Sequence, residues 1–141
     1  MKPFKWSKSN AVFVPEIDAE HKTIFRMAEQ LQQALEAGTS TAELQPRLKA
    51  LVDHAEAHFE HEEILMRDSI CPSFEWHKRQ HNTARKRLRL FMPEIQQGDR
   101  ESLEQMMEFL AGWFRDHTAL TDRIMGAHLR NYHRAATRLA S

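Results

Sequence analysis

Four stretches of this 141-residue sequence place apolar side chains at alternating steps of three and four, the spacing that lines one face of an α-helix. The first runs Ile17, His21, Ile24, Ala28, Leu31, Leu35, and the second Leu48, Leu51, Ala55, His58, Glu62, Leu65. The third runs Phe74, His77, His81, Ala84, Leu88, Phe91, and the fourth Leu103, Met106, Leu110, Trp113, His117, Leu120, Ile124. Each stripe is apolar except where it carries histidine or glutamate. Stripes of this kind must be buried against one another, so the chain is expected to form an all-α bundle with polar groups inside its core.

The breaks between stripes fit this count. Asp18 can cap a first helix ending near Ala37, with Gly38 just past its end. Ser40 with Glu43 reads as a capping box for a second helix that runs to about Arg67. Pro72 and Ser73 open a third, which Pro93 should end or kink, and Asp99 can cap a fourth. Connections this short favour antiparallel neighbours, and hence an up-down-up-down four-helix bundle. The expected organisation is one domain over residues 1–141. It comprises an extended N-terminal arm (1–17), the bundle proper (18–122) and a C-terminal helical extension (123–141).

Bulk properties exclude several classes of partner. Lys+Arg and Asp+Glu are equal at 20 each, so no global field draws nucleic acid or an anionic membrane. No apolar run approaches the roughly 18 residues of a membrane span. The start, Met1-Lys2-Pro3-Phe4-Lys5-Trp6, lacks the apolar stretch of a secretory signal. A single cysteine, Cys71, fits a reducing compartment, and a cytoplasmic location is expected.

The polar residues on the stripes point to a metal. One buried histidine is ordinarily a satisfied core residue, but five with a glutamate, spread over four helices, are another matter. Each polar group buried without a partner costs on the order of 1–3 kcal/mol. Six of them would consume much of the roughly 5–15 kcal/mol by which a domain is stable. Metal ions remove the penalty by taking the lone pairs. The i,i+4 pairs His58/Glu62 and His77/His81 each project from one helix face. Imidazole-rich ligation suggests iron or a similar first-row metal over calcium or magnesium. Spacing alone leaves iron, manganese and zinc open.

Four segments together resemble the hemerythrin family, in particular its single-domain bacterial members. They are Val14-Pro15-Glu16-Ile17-Asp18-Ala19-Glu20-His21, then His58-Phe59-Glu60-His61-Glu62-Glu63-Ile64-Leu65-Met66, then Pro72 followed by His77-x-x-x-His81, and finally Trp113-Phe114-x-x-His117-x-x-x-x-Asp122. The resemblance implies two non-haem iron ions. His77, His81 and His117 would ligate a saturated iron, and His21 and His58 one with an open position. Glu62 and Asp122 would bridge the two, with a solvent-derived oxo or hydroxo group as third bridge. It also implies reversible binding of dioxygen, in a pocket lined by Trp113, Phe114 and Thr118, by a carrier and not an enzyme. The family's other roles, as oxygen, redox or nitric oxide sensors, or in peroxide or nitric oxide detoxification and iron scavenging, stand as alternatives.

Asp122 raises a geometric difficulty. It falls five residues after His117, which in a regular helix points it away from the core. A local irregularity such as a π turn, absorbing one residue, is therefore expected between them. Three positions depart from the family pattern. Thr118 stands where an apolar residue is usual; its hydroxyl would either reach the pocket and speed autoxidation relative to Thr118→Ile, or bond a preceding carbonyl. Glu20 replaces a common glutamine and would be either an acceptor for a ligand N–H or a solvated carboxylate, the simpler expectation. Phe13 replaces a common glycine, with an effect expected only on arm packing. His54 is expected to be a non-ligand, His61, His128 and His133 to be solvated, Met66 to be core and Cys71 to be inert. The C-terminal tail is expected to be a solvated helix, a protein partner being the alternative.

Overall fold

In a computed structural model the described residues, 4–140, form an antiparallel four-helix bundle in up-down-up-down order. A short 3-10 turn, Lys8–Asn10, precedes helices α1 (Pro15–Glu36), α2 (Thr41–Asp68), α3 (Phe74–Gln96) and α4 (Arg100–Asp116). A π turn, His117–Thr121, joins α4 to α5 (Asp122–Ala140), and the three together make the fourth rod. Each rod packs against the next in sequence, and α1 against α4 closes the bundle. No described helix is long and apolar enough to cross a membrane.

Most caps behave as the sequence suggests, with instructive exceptions. Gly38 sits at φ 85 past the end of α1, the left-handed position that glycine fills without penalty. The Ser40 hydroxyl accepts the Glu43 amide at 3.2 Å. However, α1 begins at Pro15, three residues before the expected Asp18 cap, because proline is already set for the first helical position. Asp18 lies inside the first turn and reaches back to accept the amides of Val12 (2.9 Å) and Phe13 (3.1 Å). Helix α3 continues through Pro93 to Gln96 instead of ending there. Asp99 occupies the cap position of α4, but its carboxylate accepts the Ser102 hydroxyl (2.6 Å) and no backbone amide.

Among the described residues, two hold left-handed backbone without being glycine, Phe13 at φ 62 and Ile70 at φ 54. At Phe13 this explains the family's glycine. Its conformation is fixed by the Asp18 bonds and by Arg130, whose guanidinium lies 5.7 Å from the Phe13 ring. Gly126 serves a different need. A Cβ there would lie 2.6 Å from the Val12 carbonyl oxygen, so only glycine lets the arm cross α5 this closely.

The core is divided. A large apolar cluster contains Phe4, Ile24, Leu31, Leu48, Phe59 and Leu110 among others, and a smaller one contains Val12, Ile17, Met66, Cys71, Met125 and Leu129. On α1, His21 falls between Ile17 and Ile24; on α2, Glu62 falls between Phe59 and Met66. The polar residues of the stripes thus form a layer between two dry regions.

Candidate metal centre

All seven of the expected ligands lie in that layer, none more than 4% exposed. Each helix brings its share for a simple reason: positions four apart share a face, so His58/Glu62 and His77/His81 project together. Asp122 arrives by another route. The Asp122 amide bonds the His117 carbonyl five residues back, which is the π pattern foreseen from the spacing. The extra residue rotates everything after it. Leu120 (61% exposed) and Ile124 (44% exposed), expected on the core stripe, therefore face solvent, while Thr121, Asp122 and Met125 are buried.

The seven side chains form two groups that share both carboxylates: Glu62, His77, His81, His117 and Asp122 in one, His21, His58, Glu62 and Asp122 in the other. The carboxylate oxygens divide between them. Glu62 Oε1 lies 3.3 Å from His77 Nε2 and 3.0 Å from His81 Nε2, and its Oε2 lies 3.3 Å from His21 Nε2 and 2.9 Å from His58 Nε2. Asp122 Oδ1 lies 3.0 Å from both His77 Nε2 and His117 Nε2, and its Oδ2 lies 3.0 Å from His21 Nε2. Every ring presents the same nitrogen inward.

These contacts are close, yet several are not hydrogen bonds. Glu62 Oε2, both Asp122 oxygens and His21 Nε2 have no hydrogen-bond partner despite complete burial. Lone pairs that crowd together without aiming at one another suit a common third body. The donor set, imidazole with carboxylate, is one that first-row metal ions take. The residues therefore fit a pair of cations, with each carboxylate offering one oxygen to each.

Charge is held in the layer by mutual support. Burial pushes the Glu62 and Asp122 carboxyls up, but the surrounding rings hold both well below their usual range. Burial likewise works to lower the rings. The two carboxylates overcome it at His21 and His77, raised to about 9, and Glu62 with Glu20 overcomes it at His58, raised to about 10. At His117 burial prevails and the ring is lowered.

Around the layer the outward nitrogens are bonded in a repeating way that sequence reasoning missed. Glu20, beside His21 on α1, accepts from His58 Nδ1 on α2 at 2.6 Å. Glu63, beside Glu62 on α2, accepts from His81 Nδ1 on α3 at 2.7 Å. Gln80, beside His81 on α3, accepts from His117 Nδ1 at 3.0 Å and from the Thr121 hydroxyl at 2.7 Å. In each case a neighbour of one ligand supports a ligand on the next rod. Such acceptors fix the tautomer, leaving the inward nitrogen free to donate its lone pair. The available signal was a polar residue beside each of His21, Glu62 and His81.

Glu20 is therefore not the solvated carboxylate expected. It also accepts from His61 Nδ1 at 2.6 Å, so His61 is half-buried instead of free. Arg85 anchors Glu63 at 2.8 Å and Glu56 at 2.9 Å. His128 donates to the Ser69 carbonyl (2.9 Å), again contrary to expectation, whereas His54 and His133 are exposed. Met66 is fully buried in the smaller cluster, and Cys71 is a buried free thiol.

Of the three expected pocket residues, Trp113 stacks on His117 with ring centres 4.2 Å apart, as Phe59 does on His81 at 4.3 Å. Phe114 packs against Phe25 and Phe59. Thr118 is fully buried; its hydroxyl donates to the Phe114 carbonyl (2.8 Å) and accepts from Asn10 Nδ2 (2.7 Å). Its hydrogen is thereby committed to the backbone, the second of the two alternatives.

Comparison with known proteins agrees with this geometry. Residues 12–138 match the model of the hemerythrin HHE cation binding domain. The chain is also 23% identical over 124 residues to the bacteriohemerythrin of Clostridium acetobutylicum, covering 85% of this chain and 96% of that protein. With the bundle, the shared carboxylates and the match over nearly its whole length, the chain belongs to the hemerythrin family.

Proposed function

We propose that this chain holds two non-haem iron ions and binds dioxygen reversibly at the one held by two histidines. His77, His81 and His117 would hold one ion and His21 and His58 the other. Glu62 and Asp122 would bridge them beside a solvent-derived oxo or hydroxo group. The observation that carries the reading is the division of carboxylate oxygens: one of each pair lies near two imidazoles of the three-histidine group, and the other lies on the side of His21 and His58. Five imidazoles favour iron over the harder cations. When bound, the iron pair supplies the electrons that dioxygen takes up on binding and returns on release.

The side chains supply the rest. Glu20, Glu63 and Gln80 aim three of the rings. Three imidazoles on one side and two on the other would leave the second ion a position for a guest. Trp113, Phe114 and Thr118 would wall the guest's pocket, and the Thr118 hydroxyl, held by Phe114, would offer it no hydrogen bond. The roles assigned to these residues require no acid, base or nucleophile, which favours a binding protein over an enzyme. The single buried cysteine supports a reducing, cytoplasmic setting.

The test is to load the protein with iron, measure about two irons per chain, reduce it without air, and follow the visible spectrum through cycles of air and argon. A charge-transfer band that appears and disappears with the gas is expected. Irreversible oxidation would move the reading to sensing, detoxification or iron scavenging, and one iron or none would overturn it.

A further inference from the structure

The N-terminal arm touches the fourth rod within the π turn and beyond it. Inside the turn, buried Asn10 donates to the Thr118 hydroxyl at 2.7 Å, and that hydroxyl bonds the carbonyls of Phe114 (2.8 Å) and Arg115 (3.3 Å). Beyond the turn, Arg123 donates to the carbonyls of Ala11 (3.0 Å) and Lys8 (3.1 Å), Arg130 donates to that of Val12, and Gly126 lies beneath Val12. The arm therefore spans the turn between fixed points.

A threonine that bonds the carbonyl four residues back loosens the regular α pattern. At Thr118 this happens one residue after His117, where the helix widens. Slipping to a regular α register would move every later residue by about 1.5 Å and 100°. Asp122 would then leave the layer, and Arg123, Gly126 and Arg130 would lose their places under the arm. The contacts of the arm and the position of Asp122 thus require the same register.

We infer that Asn10 and Thr118 are positioning residues for the metal centre, holding the π register so that Asp122 reaches both groups of histidines. This rests on the proposed iron site, and the test separates the two. Ferrous ion is titrated anaerobically into the native chain and into Thr118→Val, Thr118→Ser and Asn10→Leu. Hydrogen exchange of the amides of residues 117–123 is followed in the metal-free proteins. The native stoichiometry judges the iron reading; the ratio of variant to native judges this inference. Thr118→Val and Asn10→Leu should bind iron about tenfold or more weakly and exchange faster through 117–123 than elsewhere, and Thr118→Ser should restore both. Asn10→Leu leaves the helix itself untouched should Thr118→Val fold poorly. Unchanged exchange across 117–123 in the two disrupting variants overturns the inference, whether or not iron binds, as does native affinity in both.

Discussion

The two halves of the metal layer share Glu62 and Asp122 but are built differently. On the three-histidine side, aromatic rings cover His81 and His117, and Glu63 and Gln80 brace their outer nitrogens, Glu63 being pinned in turn by Arg85. On the two-histidine side the rings of His21 and His58 meet edge to face at 4.6 Å. His21 Nδ1 is buried with no partner, as His77 Nδ1 is on the other side, and the brace on His58 is Glu20, a side chain 35% exposed and shared with His61. A cleft of about 300 Å³ lined by Glu20, His54 and His58 opens beside it, and one of about 230 Å³ lined by Gln80, Trp113 and His117 opens beside the other half. The halves therefore differ in their bracing and not in access: one is stacked and pinned, the other leans on a shared, part-exposed carboxylate.

The largest effect should come from erasing the difference. Glu62→Ala takes an oxygen donor from both halves at once, and metal content should fall from about two ions to one or fewer per chain; a variant that keeps both with native affinity would show that Glu62 bridges nothing. Next, the halves should respond separately. Glu20→Gln should weaken the two-histidine ion and Glu63→Gln the three-histidine ion, each by about 10–100-fold. A chelator would read this as acceleration of one release phase only, and acceleration of the same phase by both variants would unite the halves. The smallest effect concerns protons. In metal-free protein His21, His58 and His77 are raised to about 9, 10 and 9, so their stabilisation is complete below pH 6.5 and fades as pH climbs through those values. The urea midpoint of metal-free protein should fall between pH 6 and pH 9. A midpoint that rises over that interval would contradict the charge arrangement described. Two of these three rings belong to the two-histidine half.

What the sequence revealed about this centre followed from periodicity. Six ligands lie on apolar stripes and announce themselves by being polar there. Asp122 lies off its stripe, and its five-residue distance from His117 still betrayed the π turn. The same turn was not carried through to its consequence, so Leu120 and Ile124 were expected inside when a one-residue rotation puts them out. Glu63, Gln80 and His61 escaped, and Glu20 stood divided between brace and solvated carboxylate, because they lie at the flanks of the stripes, where the residue type alone does not distinguish the two. The Asn10–Thr118 bond joins positions 108 apart, and nothing local signals it.

The π turn also fixes what a change of chain length would do to the fourth rod. Elsewhere in a buried helix, losing one residue rotates everything after it by about 100° and takes the later side chains off their face. Here, loss of one residue between His117 and Asp122 would leave the pair four apart, so an unbroken α-helix would carry Asp122 and Met125 to the same buried face. The edited rod would keep all five imidazoles and both shared carboxylates, with Ile124 still outside. Within this family, then, a one-residue alignment gap between 117 and 122 would mark a bundle that reaches the same bridge without a π turn.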